Sequence, residues 1–185
     1  MTNQRVLMTA VGSYLPANVV TNEALSSFVD TDDAWIRRRT GIAQRHLVAE
    51  GETTADLACN AAAKALANAG LTGDDIDIII IATTTPDNTF PSTATKLQHM
   101  IDAKDAIAFD IQAVCAGFVY ALDIADAMLQ SGLGRRALVV GAESFSKLLD
   151  WEDRTTCVLF GDGAGAVVLE LADDAGDWGI CSSVL

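Results

Sequence analysis

Cys115 has the clearest potential for chemistry, because it stands between a strand predicted at 106–111 and a long apolar helix predicted to begin at Ala116. A thiol at a strand-to-helix elbow meets the positive end of the helix dipole and free backbone N–H groups, and both favour the thiolate. The small residues Ala116 and Gly117 let a substrate approach the backbone, where an N–H can bind an oxyanion. The pattern indicates a cysteine nucleophile.

The alternative interpretation is a cysteine that only fills space. Free cysteine is among the most buried residue types and packs as a small hydrophobe. The position of Cys115 in the sequence does not by itself separate these interpretations, so both stay open until other segments are considered. Cys59, Cys157 and Cys181 are interpreted as structural, Cys59 on or beside a helix stripe and the other two in predicted strands.

The composition predicts one well-packed globular unit. Of the 185 residues, 50% are hydrophobic and 20% are charged, which suffices for a sizeable core. Lysine and arginine number 12 against 25 acidic residues, and the formal charge of −13 argues against general binding to nucleic acid or anionic membranes. We find neither a signal-peptide pattern nor a long apolar run, so we expect a cytoplasmic protein that spans no membrane.

Cysteine spacing and basic clustering narrow the choice of ligands. The cysteines form no pair at two- or three-residue spacing, which excludes a finger-like zinc site and indicates a reducing compartment, so we predict no metal. Four arginines fall within nine positions, and such a run is either a solvated helix face or a local patch for an anionic ligand. They are Arg37, Arg38, Arg39 and Arg45.

Strands and helices alternate along the chain, which predicts an α/β fold with a mostly parallel sheet. Helix starts are expected at Thr21, at Thr31 or Asp32, and at Thr53, where Asp56 completes a capping box. The remaining predicted helices are 92–101 and 116–129, and the predicted strands are 6–11, 76–83, 106–111, 137–141, 156–160, 166–171 and one beginning at 179.

Three further patterns receive structural interpretations. The helix at 116–129 is apolar nearly all round, which predicts that it is buried between layers. The glycine-rich segment 161–165 lacks the six-residue fingerprint of a dinucleotide loop and precedes a strand, so it is predicted to be a tight turn. His46 and His99 are assigned surface or packing roles.

Seven segments, taken together, resemble the β-ketoacyl-acyl carrier protein synthase III family. They are GSYLP at 12–16, DTDDAWI at 30–36, RTGI at 39–42, ATT at 82–84, FPS at 90–92, CAGF at 115–118 and FGDGAG at 160–165. Each is weak alone, but their order and spacing are specific. The resemblance covers essentially all 185 residues and corresponds to the N-terminal half of these enzymes.

The resemblance implies a thiolase-like fold, in which two similar halves each supply a sheet with helices. We therefore expect residues 1–171 to form the N-terminal thiolase-like half with the nucleophilic cysteine, and 172–185 to form a linker and the first strand of a C-terminal half. The family's catalytic histidine and asparagine belong to that C-terminal half. The isolated chain is therefore expected to be acylated at most, and not to condense.

The resemblance also implies an initiating condensing enzyme of type II fatty acid synthesis that works as a homodimer. These enzymes move an acyl group, here expected to be acetyl, from coenzyme A to the cysteine. They then condense it with malonyl-acyl carrier protein, releasing carbon dioxide and forming a 3-ketoacyl thioester. Cys115 occupies the nucleophile position. Coenzyme A thioester is a substrate, so no separate cofactor is expected.

Residues for the nucleotide of coenzyme A follow from the same resemblance. Trp35 and Arg154 match the pair that clasps the adenine, and Thr31 and Arg39 match residues near the nucleotide. An indole face and a planar guanidinium suit a heteroaromatic ring, and a guanidinium pairs well with phosphate. Without the resemblance, Trp35 would be interpreted as a packing anchor.

Three phenylalanines match positions near the family's acyl pocket. They are Phe90, Phe145 and Phe160, and Phe90 is expected to reach into the pocket of the partner subunit. The bulk of Phe145 favours short acyl groups. The alternative is that all three are ordinary core aromatics.

Two other functions remain open. One is an acyltransferase of the same fold that acts through Cys115 without condensation, and would not release carbon dioxide from malonyl thioester. The other is a non-catalytic partner subunit or an inactive fragment, and the presence of Cys115 argues against a partner subunit. Because the acyl carrier protein is acidic, docking needs a basic patch, for which Arg37, Arg38 and Arg45 are candidates.

Overall fold

A five-stranded sheet forms the centre of the computed structural model, which describes residues 4–185. Its order is β1-β7-β6-β4-β5. Strands β6, β4 and β5 pair in parallel, whereas β7 is antiparallel to both β6 and β1. Four of the five strands thus share one direction, and the predicted mostly parallel α/β sheet is confirmed. The strands are β1 (Arg5–Tyr14), β4 (Ile78–Ala82), β5 (Ile107–Ile111), β6 (Arg136–Ser144) and β7 (Asp162–Ala172).

Helices α3 (Thr54–Ala69) and α4 (Thr93–Met100) cover one face of this sheet. The predicted capping box is present, since the Thr53 hydroxyl accepts from the Asp56 N–H and the Asp56 carboxylate accepts from the Thr53 N–H. Alanines on the buried side of α3 bring the helix close to β1. A Cβ added at Gly12 would lie 2.3 Å from the Ala61 carbonyl oxygen, so only glycine fits there.

Helix α5 (Gly117–Gln130) covers the opposite face. Ala121, Ala125 and Leu129 have no exposed surface and pack on β4, β6 and β7. The predicted burial between layers is met on this side only, because Val119 and Tyr120 on the outer side are 48% and 38% exposed. The chain supplies a sheet for only one side of α5.

An insertion between β1 and α3 forms a second, small layer. Helices α1 (Asn22–Leu25) and α2 (Asp33–Thr40) begin after the caps Thr21 and Asp32, as predicted. They are flanked by a two-stranded antiparallel sheet of β2 (Asn18–Thr21) and β3 (Gln44–Leu47), which the sequence patterns did not predict. Their apolar side chains form a small core with Cys157 and Val158 from the loop before β7.

Three predictions near the C-terminal end are wrong. Residues 156–160 form turns rather than a strand, and the predicted turn at 161–165 instead begins β7, whose residues from Asp162 pair with β6. Residues 179–185 contain no strand either, since the one backbone hydrogen bond that links them to β1 among the described residues runs from the Ile180 N–H to the Val6 carbonyl (2.9 Å). A strand requires a ladder of such bonds.

Candidate active site

The Cys115 elbow is the turn Val114–Ala116, which joins the end of β5 to α5 through a short 3₁₀ helix. Its cysteine is exposed, as a nucleophile requires. Val114 has φ 48°, in the left-handed region that a β-branched residue rarely adopts. Strained backbone of this kind collects at functional sites, where the surrounding structure holds it.

Backbone N–H groups at the elbow differ in availability. The N–H of Ala116 donates to the Ala113 carbonyl (3.1 Å), and the N–H of Gly117 donates to the Val114 carbonyl. The N–H of Cys115 has no hydrogen-bond acceptor within residues 4–185. It is therefore the elbow donor that remains free to bind an oxyanion formed at the thiol.

Cys115 opens into a depression of about 410 Å³ at the ends of β4, β6 and the start of β7. Gly141 pairs with Gly165 across β6 and β7, and both line this depression. Side chains are absent at two adjacent positions, so the sheet surface beside the thiol is bare backbone. Leu15 and Phe118 provide apolar walls. The space suits a small acyl group attached to the sulfur.

Glu143 also lines the depression and was not identified from the sequence. One of its oxygens accepts from the N–H and the hydroxyl of Thr84 (2.7 and 2.8 Å), and the other accepts from the Thr85 hydroxyl (2.6 Å). These bonds hold the loop that follows β4. The only sequence signal was its place at the carboxyl end of a predicted strand, where polar side chains of neighbouring strands converge.

The predicted nucleotide residues lie together. The guanidinium carbons of Arg39 and Arg154 lie 4.2 and 5.1 Å from the centre of the Trp35 ring. Arg154 also donates to the backbone carbonyl of Asp30 (2.7 Å) and to its carboxylate (3.3 Å). Thr31 follows Asp30, and its hydroxyl is buried without a partner among the described residues. Arg154 contacts the indole directly, so a ring can enter between them only if Arg154 moves.

The four clustered arginines do not form one surface. Arg37, Arg38 and Arg39 occupy the last turn of α2 and are exposed, and Arg37 pairs with Asp33 (2.7 Å). Arg45, however, lies in β3 and is only 5% exposed, so its proposed contribution to a docking patch is wrong. It is drawn inward because two backbone carbonyls accept from its guanidinium.

The candidate acyl-pocket aromatics separate into two places. Phe145 and Phe160 stack with ring centres 4.4 Å apart, whereas Phe90 is 83% exposed. None of the three belongs to the side chains that line the depression around Cys115.

The other candidate ligands are engaged or remote. Burial raises the pKa of Cys157, and burial followed by the charge of Asp56 raises the pKa of Cys59. Cys181 is exposed, near the last residue. His46 contacts the Pro16 carbonyl through Nδ1 (2.6 Å). Within residues 4–185 no group of three metal-binding side chains gathers, and no helix has the length and hydrophobicity to cross a bilayer.

Comparison with known proteins identifies the family. A family model described as 3-oxoacyl-[acyl-carrier-protein] synthase III matches residues 109–185, which include the elbow. The β-ketoacyl-[acyl-carrier-protein] synthase III of Paramagnetospirillum magneticum is 60% identical over 177 residues, covering 94% of this chain and 55% of the relative. That of Rhodobacter capsulatus is 58% identical over 184 residues, covering 98% of the chain and 57% of the relative. The chain belongs to the β-ketoacyl-acyl carrier protein synthase III family.

Solved structures of this family share the fold. The 3-oxoacyl-[acyl-carrier-protein] synthase III of Aquifex aeolicus is 50% identical and superposes with a TM-score of 0.89, covering 92% of this chain and 55% of that one. The enzyme from Pseudomonas aeruginosa is 44% identical with a TM-score of 0.88, covering 94% and 53%. The thiolase-like fold is thereby confirmed. The chain spans about half the length of the curated relatives it matches.

Proposed function

We propose that this chain is the nucleophile-bearing part of a condensing enzyme that starts fatty acid synthesis, with Cys115 as the acyl acceptor. The observation that carries the proposal is an exposed cysteine on a strained elbow, with its own N–H free, beside a bare glycine surface. Membership of the synthase III family supports the same chemistry.

The first step is transfer of an acyl group, proposed to be acetyl, from coenzyme A. The Cys115 thiolate attacks the thioester carbonyl, and the oxyanion that forms accepts a hydrogen bond from the Cys115 N–H. Collapse of this intermediate breaks the bond to the sulfur of coenzyme A, which leaves as a thiolate and takes up a proton. The acyl group remains on Cys115. Trp35, Arg39, Arg154 and Thr31 are proposed to hold the nucleotide.

The second step is condensation with malonyl-acyl carrier protein. Loss of carbon dioxide leaves an enolate, whose carbon attacks the acyl-cysteine carbonyl and expels the Cys115 thiolate with formation of a 3-ketoacyl thioester. Family resemblance assigns the histidine and asparagine for this step to the C-terminal half, which residues 172–185 are proposed to begin. We also propose a dimer, and the 83% exposure of Phe90 supports a contact with a partner subunit.

Intact-mass measurement after incubation with acetyl-coenzyme A tests the first step. We expect one acetyl adduct, lost in Cys115→Ser and retained in Cys181→Ser, a matched change at the other exposed cysteine. An adduct that survives Cys115→Ser, or no adduct on the folded chain, would contradict the proposal. Carbon dioxide release from malonyl-acyl carrier protein, measured after adding a polypeptide that supplies the rest of the family's length, separates a condensing enzyme from a simple acyltransferase.

A further inference from the structure

Arg45 is a buried charge without a counter-charge. Arg45 is only 5% exposed, and no carboxylate within residues 4–185 forms an ion pair with its guanidinium. Burial lowers the pKa of Arg45, and its Nε has no hydrogen-bond partner among the described residues. An unpaired buried guanidinium is costly, so its place in the fold calls for a reason beyond packing.

The two hydrogen bonds of Arg45 join segments that are distant in the sequence. Nη1 donates to the Val20 carbonyl in β2 (3.2 Å), and Nη2 donates to the Val158 carbonyl in the loop before β7 (3.1 Å). The second bond is buried and spans 113 positions. Arg45 therefore links the loop at 151–158 to the two-stranded sheet of β2 and β3.

Each of these two segments contributes one of the two residues predicted to clasp the adenine. Trp35 lies in α2, which falls between β2 and β3 in the sequence, and Arg154 lies in the loop at 151–158. Trp35 packs against the small core to which the loop contributes Cys157 and Val158. The contact between Arg154 and the Trp35 ring at 5.1 Å therefore joins the same two segments that the hydrogen bonds of Arg45 hold together.

We propose that Arg45 is a positioning residue for the nucleotide site: it sets the distance between Trp35 and Arg154 and does not itself touch the ligand. This inference rests on the proposed function, in which that pair binds the adenine of coenzyme A. A planar guanidinium can donate to two carbonyls at a fixed spacing, which a single ammonium group cannot reproduce.

Binding of adenosine 3′,5′-bisphosphate, the nucleotide portion of coenzyme A, measured by calorimetry, tests the inference without requiring catalysis. We expect Arg45→Met to weaken binding about tenfold, the effect of losing the charge-assisted bond to the Val158 carbonyl that holds the loop of Arg154, and Arg45→Lys to recover part of the affinity. The matched control is Arg135→Met, which removes an exposed guanidinium that also donates to a backbone carbonyl, that of Leu171 (3.0 Å). Its affinity should equal that of the unchanged chain.

A second readout separates positioning from general stability. The alkylation rate of Cys115 by iodoacetamide reports the elbow, and it should change less than about twofold in Arg45→Met, because the elbow shares no hydrogen bond with Arg45. Two results would overturn the inference. One is an unchanged nucleotide affinity in Arg45→Met. The other is a loss of nucleotide affinity in Arg45→Met and Arg45→Lys that is matched in each variant by an equal loss of the Cys115 alkylation rate.

Trp35→Ala tests the underlying proposal separately. If Trp35→Ala binds the nucleotide as well as the unchanged chain, the nucleotide site itself is misassigned. If Trp35→Ala abolishes binding while Arg45→Met leaves it intact, only the role of Arg45 fails.

Discussion

Replacing Val114 by asparagine should stabilise the protein, although the residue adjoins the nucleophile. An L-residue in the left-handed region costs roughly 1–2 kcal/mol, and asparagine tolerates that region far better than valine. Val114 is 62% exposed at φ 48°, so the change sacrifices little buried apolar surface while relieving the backbone. We expect the free energy of unfolding to rise by about 1 kcal/mol, which corresponds to about 2–4 °C in Tm for a chain of this size.

Urea and thermal unfolding followed by circular dichroism measure this change. Val119→Asn is the matched control, because Val119 is 48% exposed and has helical backbone in α5, where valine and asparagine have similar propensities. It should shift the free energy of unfolding by no more than about 0.5 kcal/mol. A Val114→Asn variant that is no more stable than the unchanged chain would refute the argument that the elbow stores strain.

Three further outcomes are expected. Gly12→Ala should lower the free energy of unfolding by about 2–3 kcal/mol, because its Cβ would lie 2.3 Å from the backbone oxygen of Ala61; a neutral effect would contradict the close packing of β1 on α3. Alkylation of Cys157 in the folded state should be much slower than that of the exposed Cys181, since Cys157 has no exposed surface and burial raises its pKa; equal labelling rates for the two thiols would contradict this. Asp30→Asn should tighten binding of adenosine 3′,5′-bisphosphate up to about threefold, because it frees Arg154 from an exposed ion pair; weaker binding would show that Asp30 assists the ligand.

Local chemistry made the helices predictable from the sequence. Thr21, Asp32, Thr53 and Ser92 each accept a hydrogen bond from an N–H in the first turn of a helix, and each interaction involves residues three positions apart. The elbow itself was predictable for the same reason, since strand, cysteine and helix follow one another directly in the chain. Its position in the sequence left open whether the thiol is exposed or buried.

Features that depend on distant partners were not predictable in the same way. The sheet of β2 and β3 pairs Thr21 with Gln44, and neither strand is long enough to show an alternating pattern. In the sequence Arg45 looks like the exposed arginines 37–39. Its side chain points inward because it donates to the carbonyl of Val158, which lies 113 positions away in the chain. Composition alone does not distinguish an arginine on a helix face from one that joins two segments.

The wrong prediction of a turn at 161–165 bears on function, because glycines of this segment lie beside Cys115. Glycine commonly marks turns, and the predicted turn followed from that rule. In the folded chain Gly165 instead lies inside β7, opposite Gly141 in β6, and a Cβ at Gly165 would meet nothing within 4 Å. Packing therefore does not require glycine at this position. Gly165 lines the depression of Cys115, so its missing side chain leaves open space beside the sulfur, which the proposed acyl transfer would use.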